Sequence, residues 1–294
     1  MKPLERIAYS PISERPPLLL PGGARMVVWT IVNIEEWDID QPMPRTVLTP
    51  PAGGSPSPDI PNWAWHEYGN RVGFWRMLDM LDSLSIKAVL AINGSAIGSY
   101  EAISRAALER GWEFMGHGYT QRNMQKVANE REDIARTTQA IEAFTGKRPR
   151  GWLGPGLTET WETPDLLVED GYDYVCDWVL DDQPVVLKTR GRPIVNVPYT
   201  QECNDVAMML IQHHQGIEYY QRARDQFDQL YADSRHSARV MALVVHPYIM
   251  GVPHRLKYYK RILEEIRSHD DVLFWTGEQI FDWYLSQRPG ALRG

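Results

Sequence analysis

Apolar and polar residues alternate along the chain in segments that predict strands and helices in turn. Continuous apolar runs at 26–32 and 240–245 predict two buried strands. Shorter apolar runs predict further strands at 88–92, 112–115 and 272–275. Apolar residues at helical spacing predict helices at 73–84, 100–110, 129–145 and 256–268. We expect Gly146 to end the third of these helices, because glycine adopts the left-handed conformation at a helix end most easily.

This alternation over 294 residues is typical of an α/β fold with a parallel sheet. A chain of this length favours a closed or nearly closed (β/α) barrel, and we expect one domain over 1–294. The proline-rich segment 1–24 predicts an irregular extension, and the segment 38–65 predicts a long loop beside the active site.

Composition narrows the class of protein. The chain is 43% hydrophobic and 23% charged, which is typical of a soluble globular protein. Its net charge of −7 and pI near 5.7 argue against a nucleic acid or an acidic membrane as partner. No apolar run is long enough to cross a membrane, and the charged N-terminal segment lacks the apolar core of a signal peptide, so we expect a cytoplasmic protein. Cys176 and Cys203 have neither metal-binding nor redox spacing.

The candidate chemistry follows the predicted strands. Glu35 and Glu36 come after the first strand, His117 after the strand at 112–115, and His246 after the strand at 240–245. The carboxyl ends of parallel barrel strands meet at one mouth, so we expect these side chains to converge there. For any one of them alone, a solvated turn or a structural histidine is the competing interpretation.

These residues resemble the motifs of the polysaccharide deacetylase (NodB-like) superfamily. Glu35 and Glu36 are similar to its paired aspartates, His117 to its histidine motif, and Leu243-Val244-Val245-His246 to its final motif. The resemblance implies a distorted barrel of parallel strands that hydrolyses amide bonds. The chain departs from the pattern at Gln121, which stands where a second histidine is expected and is a poor ligand for zinc.

Within the superfamily, the chain resembles a cytoplasmic branch of metal-independent allantoinases and cyclic imide hydrolases. The segments that carry this resemblance are Asn33 with the paired acids, 67–73 with 75–76, 151–152, 181–184, 198–199 and 204–205. The resemblance implies a small cyclic amide or imide as substrate, a homotetramer, and no required cofactor. A weakly bound divalent metal such as zinc, held by Glu36 and His117, stays open.

Opening a cyclic imide needs a base for water, a donor for the oxyanion and a proton for the departing nitrogen. We expect Glu35 to be the base, with its pKa raised by the neighbouring Glu36. We expect His246 to be the acid or the oxyanion donor, because imidazole changes charge near neutral pH. His117 is the alternative for that role.

Further residues are candidates for substrate binding, each with a structural alternative. Trp152 could form a wall for a flat ring, or could belong to the core. Tyr68 and Arg71 could bind a second carbonyl, or form a turn against Trp75. The full set of substrate-binding candidates is Tyr68, Arg71, Trp152, Pro155, Asp181 and Asn204.

Three functions remain open from the sequence. The first is a hydrolase that opens a C–N bond in a cyclic imide, hydantoin or allantoin. The second is a metal-dependent deacetylase of an N-acetylated sugar. The third is a non-catalytic ligand-binding barrel, which the presence of both acids disfavours.

Overall fold

The computed structural model describes residues 1–51, 53–54 and 56–293. It confirms the alternation of strands and helices. The strands are β1 (Met26–Ile34), β2 (Val89–Ile92), β3 (Glu113–Gly116), β4 (Gly151–Trp152), β5 (Tyr174–Val175), β6 (Val185–Leu187), β7 (Ile194–Asn196), β8 (Arg239–Val245) and β9 (Val272–Phe274). The helices are α1 (Pro3–Arg6), α2 (Ile60–Tyr68), α3 (Phe74–Ser83), α4 (Ala96–Ser99), α5 (Glu101–Glu109), α6 (Glu130–Thr145), α7 (Thr163–Glu169), α8 (Gly216–Asp233), α9 (Pro253–Arg267) and α10 (Gly277–Gln287).

The strands form one curled sheet in the order β6-β7-β5-β4-β3-β2-β1-β8, with β9 beside the start of β1. Every pairing is parallel except the antiparallel pair β6 and β7. Beyond β8, the segment around Asn204 bridges Val244 and continues the wall. The predicted distorted (β/α) barrel is therefore confirmed.

Strand β1 is buried along its whole length, because the sheet curls around one face and helices cover the other. Its alternate residues enter two apolar clusters. Val28 and Val32 pack with residues of α3, α8 and α9, whereas Trp29 and Ile31 pack with residues of the other strands inside the barrel. This central position holds the carboxyl end of β1 rigidly at the barrel mouth.

The predicted element boundaries need two corrections. The loop expected at 38–65 ends earlier, because α2 already begins at Ile60, where the Asp59 side chain accepts a hydrogen bond from the Asn62 backbone N–H at 3.3 Å. The segment 1–24 is mostly irregular but contains α1 and two short 3₁₀ turns. Gly146 ends α6 at φ 72°, as predicted. None of the helices in the described part of the chain has the length and apolar character needed to cross a membrane.

Gly73 should be required for the contact between α3 and the loop after β8. A Cβ atom at this position would lie 2.2 Å from the Pro247 carbonyl oxygen, a backbone atom that cannot move aside alone. We expect Gly73→Ala to lower the free energy of unfolding by about 1–3 kcal/mol or more, measured by urea denaturation. Gly98→Ala is the matched control, because nothing lies within 4 Å of its added Cβ. Equal stability of the two variants would contradict this packing.

Candidate active site

Glu35 follows β1 directly and is buried, with only 6% of its surface exposed. The Trp37 indole N–H donates to its Oε2 at 2.7 Å, and the Gln121 amide donates to its Oε1 at 2.9 Å. The Asn70 side chain also donates to the Glu35 backbone carbonyl at 3.2 Å. The carboxylate is thus fixed in one orientation, with Oε1 directed towards the other strand ends.

His246 follows β8, which pairs with β1, so its ring comes to lie against Glu35. Its Nε2 lies 3.5 Å from Glu35 Oε1. On the opposite side, its Nδ1 lies 2.7 Å from Asp205 Oδ1, while its backbone N–H donates to Asp205 Oδ2 at 2.7 Å. The imidazole therefore lies between two carboxylates, and Asp205 fixes both its ring and its backbone.

The charges of this cluster shift the pKa values of its members. Burial alone would raise the pKa of Glu35, but the hydrogen bond and charge of His246 lower it to about 2. Burial opposes the charged form of His246, yet the charge and hydrogen bond of Asp205, together with Glu35, raise its pKa to about 9. At neutral pH the two groups form an ion pair of carboxylate and imidazolium.

His117 lies on the other side of Glu35, with Nε2 4.0 Å from Glu35 Oε1. Its Nδ1 lies 2.5 Å from the Leu153 carbonyl oxygen, which can only accept, so Nδ1 carries a proton. Burial is the largest cause that lowers the pKa of His117. The ring is therefore neutral, and its Nε2 lone pair is directed towards Glu35. This lone pair can accept a hydrogen bond, so His117 is not suited to act as the acid.

Glu36 does not join the cluster, which corrects the prediction that it raises the pKa of Glu35. Its backbone N–H donates to Asn93 Oδ1 at 3.0 Å, and its carboxylate accepts a hydrogen bond from the Ser99 hydroxyl outside the pocket. Two adjacent residues at the end of a strand point in different directions, and only Glu35 is directed into the barrel mouth.

A pocket with a cavity volume of about 80 Å³ opens above Glu35 and is partly open to solvent. Polar groups of the cluster form its base, and apolar side chains form much of its wall. Two π-helical turns border the site: Gly69–Gly73 carries Asn70, and Val206–Ile211 supplies part of the wall. The lining residues are Asn33, Glu35, Arg45, His117, Gln121, Leu153, Gly154, Gly156, Leu157, Tyr199, Gln201, Asn204, Val206, Ala207, Ile211 and His246.

Of the predicted substrate-binding residues, only Asn204 lines this pocket. Trp152 is fully buried and packs edge-on against Tyr172 at 5.4 Å, so it belongs to the core, while the next residue, Leu153, lines the pocket. Pro155 lies behind the pocket wall, where it packs against Gly118. Neither residue lines the pocket, because successive residues after a strand face different sides.

The other three predicted substrate-binding residues lie outside the pocket. The Tyr68 hydroxyl accepts a hydrogen bond from Arg76 at 2.6 Å. The Arg71 side chain is 72% exposed and pairs with Glu67 at 3.3 Å. Asp181 forms an ion pair with Arg15 of the N-terminal segment at 2.6 Å. Each therefore has a structural partner of its own.

The sequence does not predict the roles of three residues that set the properties of Glu35 and His246. Asp205 is indicated there only as part of the segment 204–205, and Gln121 only as the residue in place of a second histidine. For Trp37 the sequence offers one indication, which is its position two residues after Glu35. Their roles depend on hydrogen bonds between distant segments, which no local pattern reports.

The residues at the site do not fit the metal that the wider family resemblance implies. Glu36 faces away, Gln121 presents its amide N–H to Glu35, and His246 carries protons on both ring nitrogens when charged. Among the described residues, no group of three or more histidine, cysteine, aspartate or glutamate side chains is arranged to hold a metal ion.

Comparisons with known proteins agree with this fold. Residues 65–175 match the family model for polysaccharide deacetylase. The peptidoglycan deacetylase of Helicobacter pylori is 24% identical over 271 residues, covering 81% of this chain and 91% of that protein. The crystal structure of PuuE allantoinase has a TM-score of 0.84 at 26% identity, covering 94% of this chain and 96% of that chain. The crystal structure of the probable polysaccharide deacetylase from Pseudomonas aeruginosa PAO1 has a TM-score of 0.83 at 26% identity, with the same coverage. Together these similarities support a hydrolase of the polysaccharide deacetylase superfamily.

The contact between Asp205 and His246 should make stability depend on pH. Folding raises the pKa of His246 from 6.5 to about 9, so the charged contact stabilises the fold below pH 6.5, and this stabilisation is lost as the pH rises towards 9. We expect Asp205→Asn to lower this pKa and to weaken the pH dependence of unfolding between 6.5 and 9. Glu202→Gln, an exposed neighbour with the same change of charge, should keep the wild-type profile. Identical profiles for both variants would contradict the contact.

Trp37 should hold the pKa of Glu35 down through its indole N–H. In Trp37→Phe the ring remains but the donor to Oε2 is lost, so the pKa of Glu35 should rise. Carbon-13 NMR titration of the Glu35 carboxyl group measures this change. Trp65→Phe is the control, because Trp65 packs on Tyr248 at 5.2 Å but donates no hydrogen bond to Glu35. The same titration curve in both variants would show that packing, not the N–H, matters.

Proposed function

We propose that this hydrolase of the polysaccharide deacetylase superfamily opens a C–N bond of a small cyclic amide. The observation that carries the proposal is the direct contact between Glu35 and His246, which joins a carboxylate base to a protonated imidazole. Asp205 supports the charged state of that imidazole. The pair contains both proton-transfer groups that amide hydrolysis needs.

The reaction divides into two proton transfers. Glu35 takes a proton from water as the water oxygen attacks the ring carbonyl, and His246 gives its Nε2 proton to the nitrogen as the C–N bond breaks. The products are a carboxylic acid and the amide or amine end of the opened ring. Glu35 then returns its proton to His246 across the 3.5 Å contact, which restores the starting state.

The low pKa of Glu35 does not oppose this role. That pKa holds while His246 is charged, and the two groups titrate as a pair. As His246 gives up its proton, the positive charge that lowers the pKa of Glu35 disappears. The basicity of Glu35 therefore increases during the step in which it holds the proton. The His246 N–H also stabilises the oxyanion before the transfer is complete.

The size and chemistry of the pocket support a small ring as substrate. A cavity volume of about 80 Å³ suits only a small ligand, and the apolar Leu153, Leu157 and Ile211 suit the faces of a flat ring. The neutral His117 is an acceptor for a ring N–H. An imide nitrogen leaves more readily than an ordinary amide nitrogen, which lessens the need for a Lewis acid. The similarity to a solved allantoinase also supports a cyclic amide.

A metal-dependent deacetylase of an N-acetylated sugar is the second candidate. The similarity to the Helicobacter pylori peptidoglycan deacetylase favours it. The donor set around Glu35 counts against it, since Gln121 occupies the position of a ligand.

We also propose a cytoplasmic homotetramer that requires no cofactor, supported by the resemblance to the allantoinase branch.

A substrate panel with chelation tests the proposal. Purified protein is assayed with succinimide, hydantoin, dihydrouracil, allantoin and an N-acetylglucosamine oligomer, before and after chelation. Ring opening that survives chelation is the expected result. Activity on the sugar alone, or only after metal is restored, would overturn the proposal.

Glu35 and Glu36 should differ sharply in this assay. We expect Glu35→Gln to lower kcat by at least about 100-fold, on the scale of general base catalysis. The kcat of Glu36→Gln should stay within about tenfold of the wild-type value, because the Glu36 carboxylate accepts a hydrogen bond from Ser99 outside the pocket. Circular dichroism checks that both variants fold. Equal losses in both variants would contradict the assignment of Glu35 as the base.

A further inference from the structure

Arg45 lines the pocket above Glu35, yet the proposed chemistry gives it no role. It lies in the segment between β1 and α2 and is half-buried. Its guanidinium makes no ion pair or hydrogen bond with any residue that the structure describes. Many arginines of this chain are paired, such as Arg6 with Asp165 at 2.7 Å and Arg25 with Asp271 at 2.7 Å.

Contacts on both sides hold the backbone near Arg45. The fully buried Asn62 accepts hydrogen bonds from the backbone N–H groups of Val47 at 2.9 Å and Leu48 at 2.8 Å. It also donates to the Leu48 carbonyl at 2.9 Å. On the other side, Met43 packs against the main apolar cluster. The segment is therefore attached to the barrel within two or three residues of Arg45.

None of the described carboxylates makes an ion pair with Arg45. The carboxylates of Glu35 and Asp205 lie on either side of the His246 imidazolium, and Glu35 also accepts from Gln121. Arg45 is the only lysine or arginine among the described lining residues. The other polar groups of the lining are largely neutral amides. A fixed positive charge with free donors in a small pocket favours an anionic group on the ligand.

We propose that Arg45 binds a carboxylate on the substrate ring, so that the preferred substrate is a carboxylated cyclic amide. This inference rests on the proposed function and narrows its substrate class. A planar guanidinium binds a carboxylate through two parallel N–H···O bonds, which also orients the ring. A single arginine without other cations suits a carboxylate better than the more highly charged phosphate. The scissile carbonyl then faces Glu35 while the carboxylate faces Arg45.

Matched pairs of rings test this inference. Hydantoin is compared with hydantoin-5-acetate, which adds a carboxymethyl group, and dihydrouracil with dihydroorotate, which adds a carboxylate. We expect kcat/KM of the wild-type protein to be about 10- to 100-fold higher for the carboxylated ring, on the scale of a charged hydrogen bond. Arg45→Met should abolish that preference through KM, and Arg45→Lys should restore part of it.

Arg131→Met is the control for a change in overall charge. It removes one positive charge from α6, where the 60% exposed Arg131 pairs with Glu169 away from the pocket. It should keep the wild-type preference. If neutral rings open as fast as carboxylated ones and Arg45→Met changes nothing, the inference is wrong while the proposed function stands.

If neither kind of ring opens, the proposed function is wrong, and Arg45 is then tested by binding alone. Calorimetric titration compares hydantoin-5-acetate with hydantoin in wild-type protein and in Arg45→Met. Tighter binding of the carboxylated ring that is lost in the variant supports the carboxylate site. Equal binding, or no binding of either ring, overturns it.

Discussion

The contact of Glu35 with His246 is the interaction on which the site depends. A buried carboxylate needs a partner, because burial without one would favour its neutral form. The parallel pairing of β1 with β8 provides that partner, since both residues follow the ends of adjacent strands. Asp205 reaches the same imidazole because the neighbouring Asn204 bridges Val244 of β8. The geometry of the sheet thus places three charged side chains from distant segments next to one another, with His246 between Glu35 and Asp205.

The residues around the contact of Glu35 with His246 hold it in place and are themselves uncharged. His66 stacks on the Trp37 indole at 4.3 Å, and burial lowers its pKa to about 4, so it stays neutral beside the cluster. Trp37 in turn donates to Glu35, and His117 is held neutral by burial. A single charged imidazole therefore acts on Glu35. This separates the two histidines chemically, one as a proton donor and the other as an acceptor.

The sequence predicts the main strands and helices of this protein well, but it predicts the site only in part. Strands β1 and β8 are clear because their apolar runs are continuous, and helix α6 is clear because apolar residues recur at helical spacing and Gly146 marks its end. Parallel topology then predicts that Glu35, His117 and His246 share one mouth. Which of two adjacent acids faces inward, however, depends on Trp37, Gln121 and Ser99. Tyr68, Arg71 and Asp181 lie outside the pocket for a similar reason, because each has a partner that sequence spacing does not reveal.

The charge states of the two histidines test the central claim most directly. Nitrogen-15 NMR of the imidazole rings at pH 7.5, assigned with His117→Gln and His246→Gln variants, distinguishes imidazolium from each neutral tautomer. We predict that His246 is an imidazolium and that His117 is neutral with its proton on Nδ1. A neutral His246, or a His117 with its proton on Nε2, would contradict the proposed pairing of base and acid.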